Sequence, residues 1–285
     1  MQDERLLSML TAIPQTDAGI GMDFRQINGL NLPIFAINLE RRPDRWQALT
    51  QRFQAAGLDR IARMPAVDGA GLSADLVARF GEAAAESIDG SPGCHLSLTR
   101  PAIGCFLSHL SIWKTVANSG MAHALVLEDD ASPSPAFNAE RLGAALQYLP
   151  AEGMIFPGCT VMGGLAERQA KQGLVRVYYF NGTFAYIVSA AACDYLLRNM
   201  LPMRMHVDHQ ISHLLFEKRA VFEGLLMQPA SLQPDWALGS DCHVDLRDEF
   251  SANRALWTRL SDCRLVLEAE GRQLMADDMS ASQAA

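Results

Sequence analysis

Hydrophobic residues along this chain gather in short runs divided by polar stretches, and the runs are of two kinds. Residues 32–39 (LPIFAINL) and 123–127 (HALVL) are nearly unbroken, as strands covered on both faces are. Between residues 103 and 118, Ile103, Phe106, Leu107, Leu110, Trp113 and Val116 recur at helical spacing, and Gly120 follows as a stop. Cys105, Ser108 and His109 occupy the other face of that helix. The first strand leads into Arg41-Arg42-Pro43-Asp44-Arg45, where Pro43 suits a first helical turn and Gly57 the end. A short strand over residues 61–67 follows, and strand-helix-strand predicts parallel pairing through a crossover.

Further along, residues 73–80 read as helix and residues 88–102 as a long loop. Residues 174–180 and 183–188 read as paired strands around Asn181-Gly182, a strong hairpin dipeptide. Ser189 suits the cap of a helix running to residue 198. A helix over 208–217 and a strand over 220–227 complete the pattern. The expected architecture is α/β, a mixed but mostly parallel sheet flanked by helices. Residues 1–30 are a lead-in, 31–274 a single domain and 275–285 a disordered tail.

Composition narrows the function. With 285 residues, 49% hydrophobic and 20% charged, the chain has material for a sizeable core. A net charge of -8 argues against a nucleic-acid partner. A negative protein that binds an anionic ligand then needs a local remedy, either a metal ion or a few placed arginines. Six cysteines without a CxxC pair argue against a zinc ribbon and suit reduced, mostly buried thiols. The start, MQDERLLSML, lacks a signal-peptide core, and no apolar run nears the ~18 residues that span a bilayer. The expected location is cytoplasmic, with peripheral contact at the inner membrane face if a ligand is lipid-linked.

Chemistry concentrates at two strand ends. Glu128, Asp129 and Asp130 close the second buried strand, where ligands of open α/β sheets bind. Three adjacent acids repel one another unless a cation lies among them, and Mg²⁺ or Mn²⁺ would share such oxygens with a diphosphate. The local sequence fits an acidic turn equally well. Past the first strand, Asn38, Arg42, Asp44 and Arg45 offer donors for phosphates and an acid for a ribose or base edge. A solvated helix start is the plainer reading of those residues. His109, beside Ser108, is either a satisfied structural histidine or a wall of the same cleft.

Four segments in this order resemble glycosyltransferase family 25, the lipopolysaccharide-biosynthesis transferases related to collagen galactosyltransferase domains. They are residues 37–45 (INLERRPDR), 104–113 (GCFLSHLSIW), 125–130 (LVLEDD) and 182–189 (GTFAYIVS). The resemblance implies a GT-A type fold, a nucleotide-diphosphate sugar donor such as UDP-galactose, Mn²⁺ dependence and inversion at the anomeric carbon. It implies a glycan acceptor, such as a lipooligosaccharide. Glu128, Asp129 and Asp130 resemble the family's acidic donor motif, with Asp130 the first choice of metal ligand and Glu128 on the ribose or a metal-bound water. Asn38, Arg42, Asp44 and Arg45 resemble its N-terminal donor motif. Ser108 and His109 border the cleft, and Gly182, Thr183 and Tyr186 shape the sugar or acceptor pocket. Asp208 is the candidate base, with a helix cap as its alternative. Asp241 and His243 are candidates for a late metal ligand.

The chain departs from the family pattern at Pro101-Ala102-Ile103-Gly104, where a Gly-Glu pair is usual, and at His209, where an aromatic is frequent. Two other functions compete: a metal-dependent phosphoryl hydrolase, although no Gly-x-x-x-x-Gly-Lys-Ser/Thr loop is present, and a non-catalytic sugar-nucleotide-binding relative. His206, His209 and His213 also have the spacing of a zinc face on a helix.

Overall fold

Alternation of side chains along the central strands sorts the core into two halves, one on each side of a sheet. The computed structural model describes residues 32–74, 77, 100–161, 166–171, 173–178, 180–201, 203 and 206–239. Within these, strand β1 (Ile34–Asn38) sends Phe35 and Ile37 to one face and Ile34 and Ala36 to the other. Strand β3 (His123–Glu128) repeats the division with Ala124 and Val126 against Leu125 and Leu127. Both faces of each strand are therefore buried, which is why their sequences read as unbroken apolar runs.

Helix α1 (Pro43–Ala55) covers one face with Leu49 and Phe53, helped by helix α3 (Ala139–Ala145). The opposite face is covered by α2 (Arg100–Asn118), α4 (Ala190–Asn199) and α5 (Val207–Glu217). Pro43 does open α1, and Gly57 follows it at φ 83, a conformation with little steric cost only for glycine. Ser189 caps α4 by accepting from the Ala192 N–H at 2.9 Å.

The main sheet has eight strands among the described residues. With β2 (Ala62–Pro65), β5 (Gly153–Phe156), β7 (Ala166–Lys171), β8 (Leu174–Val177), β10 (Ala185–Ser189) and β11 (Glu223–Met227), its order is β2-β1-β3-β10-β5-β11-β8-β7. Strands β2, β1 and β3 run parallel, as do β5 and β11. The remaining pairings are antiparallel. The sheet is thus mixed, and less parallel than expected, because β10 enters reversed between β3 and β5.

The expected hairpin around Asn181-Gly182 does not form. Strand β8 pairs with β11 and β7, whereas β10 pairs with β3 and β5. Phe180–Asn181 (β9) instead meets Thr160–Val161 (β6) in a separate ribbon. Gly182 still takes the positive φ, 90, that its turn requires, but the apolar run beyond it satisfies its hydrogen bonds in the sheet centre. Helix α2 begins at Arg100, within the expected loop. Of the helix expected over 73–80, Ala74 and Val77 are described, both helical, and the 1–30 and 275–285 segments lie outside the described residues. No helix among the described residues is long and apolar enough to cross a membrane.

One close approach fixes α2. A Cβ on Gly104 would lie 2.5 Å from the Val67 carbonyl oxygen, and one on Gly69 would lie 2.0 Å from that of Arg100. Only glycines permit the helix to touch the short turn Gly69–Gly71. Ser108 then reaches the same loop, accepting from the Val67 N–H at 2.9 Å while donating to the Gly104 carbonyl. Replacing Gly104 with Ala is expected to destabilise the fold by about 1–3 kcal/mol through this overlap, despite alanine's better helix propensity. Gly71→Ala, with open space around it, should stay within ~0.5 kcal/mol, and urea denaturation of the two variants checks both values.

Candidate functional site

A cleft opens beyond the carboxyl ends of the parallel strands β2, β1 and β3. Residues from five places line it: Ile37, Asn38, Leu39 and Arg41 at the end of β1 and just past it, Arg45 of α1, 66–70 after β2, 128–130 at the end of β3, and one face of α2. Pro101, Cys105, Ser108 and His109 supply that face at i, i+4, i+7 and i+8 spacing. Asn38, Arg45, Ser108, His109, Glu128, Asp129 and Asp130 are thereby brought together, although they come from three distant sequence segments.

The three acids do different things. Asp129 turns inward, where Arg45 Nη2 meets its Oδ1 at 2.8 Å and Asn38 Nδ2 donates to its Oδ2 at 2.7 Å. Asn38 is spent on this framework: it also donates to the Arg42 carbonyl at 3.0 Å, and its own oxygen accepts from Arg63 Nε at 2.9 Å. Arg52 Nη2 binds the carbonyls of Asp129 and Ala131 at 3.3 and 3.0 Å, clamping the turn from the other side.

Glu128 accepts from Thr183 Oγ1 at 2.5 Å and lies 3.2 Å from His109 Nε2. Behind His109 stands a hydrogen-bonded series. Trp113 Nε1–H can only donate, and it does so to the Tyr186 hydroxyl at 3.0 Å. Tyr186 uses its own proton toward His109 Nδ1, 2.8 Å away, which leaves Nε2–H facing Glu128. This tautomer gives every group in the series a partner. Burial pushes the Tyr186 hydroxyl well above its usual range, so its proton stays in place. Burial alone would raise the Glu128 carboxyl, but His109 and Thr183 hold it below the ordinary value.

Asp130 is the opposite case. Burial, then the charge of Glu128, pushes its carboxyl up to about 7, with Arg45 Nη2 at 3.8 Å a partial offset. Its Oδ1 is buried with no hydrogen-bond partner. One ionised carboxylate beside a second that resists ionisation, with an oxygen left over, fits a divalent cation held by two carboxylates, diphosphate oxygens and water. Cys105, His109 and Glu128 also bring one donor atom each within 4.8 Å of one another. Among the described residues no other three His, Cys, Asp or Glu side chains do so. His206, His209 and His213 form no such group, since the His206 and His209 rings stand edge-on with centroids 6.4 Å apart.

The other sequence candidates lie outside the cleft wall. Arg42 and Asp44 pair with each other at 2.9 Å at the exposed start of α1. Arg42's hydrogen bond lowers the Asp44 carboxyl. Gly182, Thr183 and Tyr186 stand behind Glu128 and His109. Asp208, in the first turn of α5, accepts from the Gly182 N–H and the His209 N–H, each at 2.9 Å. Burial would raise its carboxyl, yet His209, the Gly182 N–H and His206 hold it low. Ala102 is buried in the core, away from the cleft lining, so the acid missing there leaves a wall intact. Asp241 and His243 lie outside the described residues. Sequence reading missed Arg41, Asp68 and the 66–70 loop as cleft walls, and Arg52 and Arg63 as its struts. An Asp-Gly-x-Gly turn directly after a strand was the available signal.

Residues 31–155 match the family model described as glycosyltransferase family 25 (LPS biosynthesis protein). Over that segment the chain is similar to glycosyltransferase family 25. Every residue lining the cleft falls inside it. A glycosyltransferase 25 family member of Drosophila pseudoobscura pseudoobscura is 42% identical over 106 residues, 37% of this chain and 17% of the relative. Procollagen galactosyltransferase 1 of Danio rerio is 30% identical over 237 residues, 73% of this chain and 38% of the relative. The human inactive glycosyltransferase 25 family member 3 is 32% identical over 192 residues, 60% of this chain and 30% of the relative. The chain spans well under half the length of each.

Asp130 makes the cation-free fold sensitive to pH. Its ionised form is disfavoured when folded and unhindered when unfolded. Stability through this group is complete below the ordinary value of 3.8 and is lost as pH rises to about 7. In chelator-treated protein, Asp130→Asn is therefore expected to gain on the wild type by on the order of 2–3 kcal/mol more at pH 8 than at pH 5. Urea midpoints at the two pH values measure this, and an equal difference at both would place Asp130 in an unperturbed environment.

Proposed function

We propose that the protein is a metal-dependent, inverting glycosyltransferase of GT-A type that moves a hexose from a nucleotide-diphosphate donor to a glycan acceptor. UDP-galactose is the proposed donor, in line with the galactosyltransferase among the relatives, and a lipid-linked glycan such as lipooligosaccharide the proposed acceptor. One observation carries the reading. Asp130 is a part-buried carboxylate whose buried Oδ1 has no hydrogen-bond partner, beside Glu128 after β3 in a cleft walled by Arg41 and Arg45.

Glu128 and Asp130 are the proposed holders of Mn²⁺ or Mg²⁺, with Asp241 and His243 kept as candidates for a later ligand. A bound cation would screen the donor diphosphate and the charge left on it as the sugar departs. Arg41 and Arg45 would orient phosphate oxygens by charge-assisted hydrogen bonds, and the 66–70 loop would enclose the nucleoside end. In the transfer, an acceptor hydroxyl oxygen bonds to the anomeric carbon as the bond to the diphosphate oxygen breaks. The hydroxyl proton passes to a base, for which Asp208 is the proposed residue. Its bond to the Gly182 N–H gives Asp208 a second task, holding the segment that carries Thr183 onto Glu128.

A non-catalytic reading has one finding in its favour, the inactive label on the human relative. Asp130 tests the shared donor site, and Asp208 separates the two. Asp130→Ala is expected to abolish Mn²⁺-dependent UDP-galactose binding in calorimetry while leaving the circular dichroism spectrum unchanged. Donor affinity equal to wild type would remove Asp130 from the site. Asp208→Asn should retain donor binding and lose transfer by at least ~10²-fold, the scale of a missing general base. Turnover near normal would leave Asp208 as the anchor of Gly182 alone.

A further inference from the structure

Among the described residues, two large hydrophobic side chains stand in solvent, and the larger is Trp236, 74% exposed. Its position is not that of a loose surface residue. Strand β12 (Leu232–Pro234) pairs with β4 (Ala131–Pro133), which starts directly after Asp130, and Pro234 stands opposite Ala131. The next residue, Asp235, donates its N–H to the Asp130 carbonyl at 2.7 Å. Its side chain meets Arg52 Nη1 at 3.2 Å and accepts from the Ala237 N–H at 3.1 Å, closing the short turn Trp236–Leu238. Arg52 is the same residue that grips the carbonyls of Asp129 and Ala131. The Trp236 backbone is therefore mounted on the acidic turn itself, by strand pairing and by the ion pair of its neighbour.

A water-exposed indole on an anchored backbone has a use when its partner is a flat, partly apolar surface. A pyranose ring supplies one: its axial C–H groups form an apolar face, while its hydroxyls remain in water around the edge. Indole offers a broad, rigid, electron-rich face at low entropy cost. We propose that Trp236 is the stacking platform for a pyranose of the acceptor glycan, setting which sugar lies against the site. This rests on the transferase reading for the word acceptor, and on the geometry of the Asp130–Asp235 junction for the place. The ion pair of Asp235 with Arg52 is the positioning element. It ties the backbone that carries the platform to the turn of Asp129 and Asp130.

The test reads sugar contact without donor or turnover. In the full chain labelled at tryptophan, the Trp236 indole resonance is assigned by its loss in Trp236→Ala and followed during addition of methyl β-galactopyranoside, methyl β-glucopyranoside or the open-chain galactitol. A saturable shift is expected with at least one pyranoside in the roughly 10–100 mM range of weak single-ring contacts. Galactitol should give none. Saturation transfer from protein to the pyranoside C–H protons should fall at least ~5-fold in Trp236→Ala, whose urea midpoint should match the wild type because the side chain is exposed. The proposal is overturned by an unshifted indole with both pyranosides, by an equal response to galactitol, or by a wild-type dimer that the substitution turns into monomer. The last result would make the indole part of an interface. Absence of UDP-galactose binding by the wild type in calorimetry would sink the transferase reading independently, since no donor enters the pyranoside titration.

Discussion

The contact on which the site depends is the buried ion pair of Arg45 with Asp129. Removing two charges from water is costly, and the pair repays this with help from the further hydrogen bond of Asn38 onto Asp129. Loss of either side of such a pair ordinarily costs about 3–5 kcal/mol. Its effect on function is geometric. By turning Asp129 inward, the pair obliges the residues on either side, Glu128 and Asp130, to occupy the cleft.

Those two carboxylates then acquire opposite characters from their surroundings. Glu128 sits at the end of a supporting series, Trp113 to Tyr186 to His109, and keeps its charge. Asp130 has burial and a like charge against it, with only a distant guanidinium to offset them. A proton and a divalent cation are alternative answers to the same repulsion. Paired acids with separated affinities are a recurrent sign of chemical work, because purely structural acids are usually satisfied by neighbours, as Asp129 is.

Much of this was legible in the sequence where one physical signal dominated. The runs LPIFAIN and HALVL announce doubly covered strands, and helix α2 shows its spacing plainly. The acidic triplet at a strand end marks the cleft. What stayed hidden needed tertiary information. Asn181-Gly182 has the chemistry of a hairpin, yet the run after it gains more by entering the sheet centre than by pairing with its neighbour in sequence. Strand β5, GMIF, is too short for its alternation to register. Ser108 and His109 read as a polar face of α2, but both are buried, one against the 66–70 loop and one against Tyr186. Nothing local distinguishes Asp129 from its two neighbours. The inward turn of its side chain is decided by an asparagine 91 positions earlier.

The reversed strand β10 has a consequence for the segment matched by the family model. The matched segment ends at residue 155, within β5, yet the strand that separates β3 from β5 is contributed by residues 185–189. A fragment cut at that limit would lack the middle of its own sheet. It would present the Ala124–Leu127 edge, apolar on both faces, as a template for intermolecular pairing. The segment most recognisable by sequence is therefore not a unit of folding. During synthesis its strands must wait for a later part of the chain before the sheet can close.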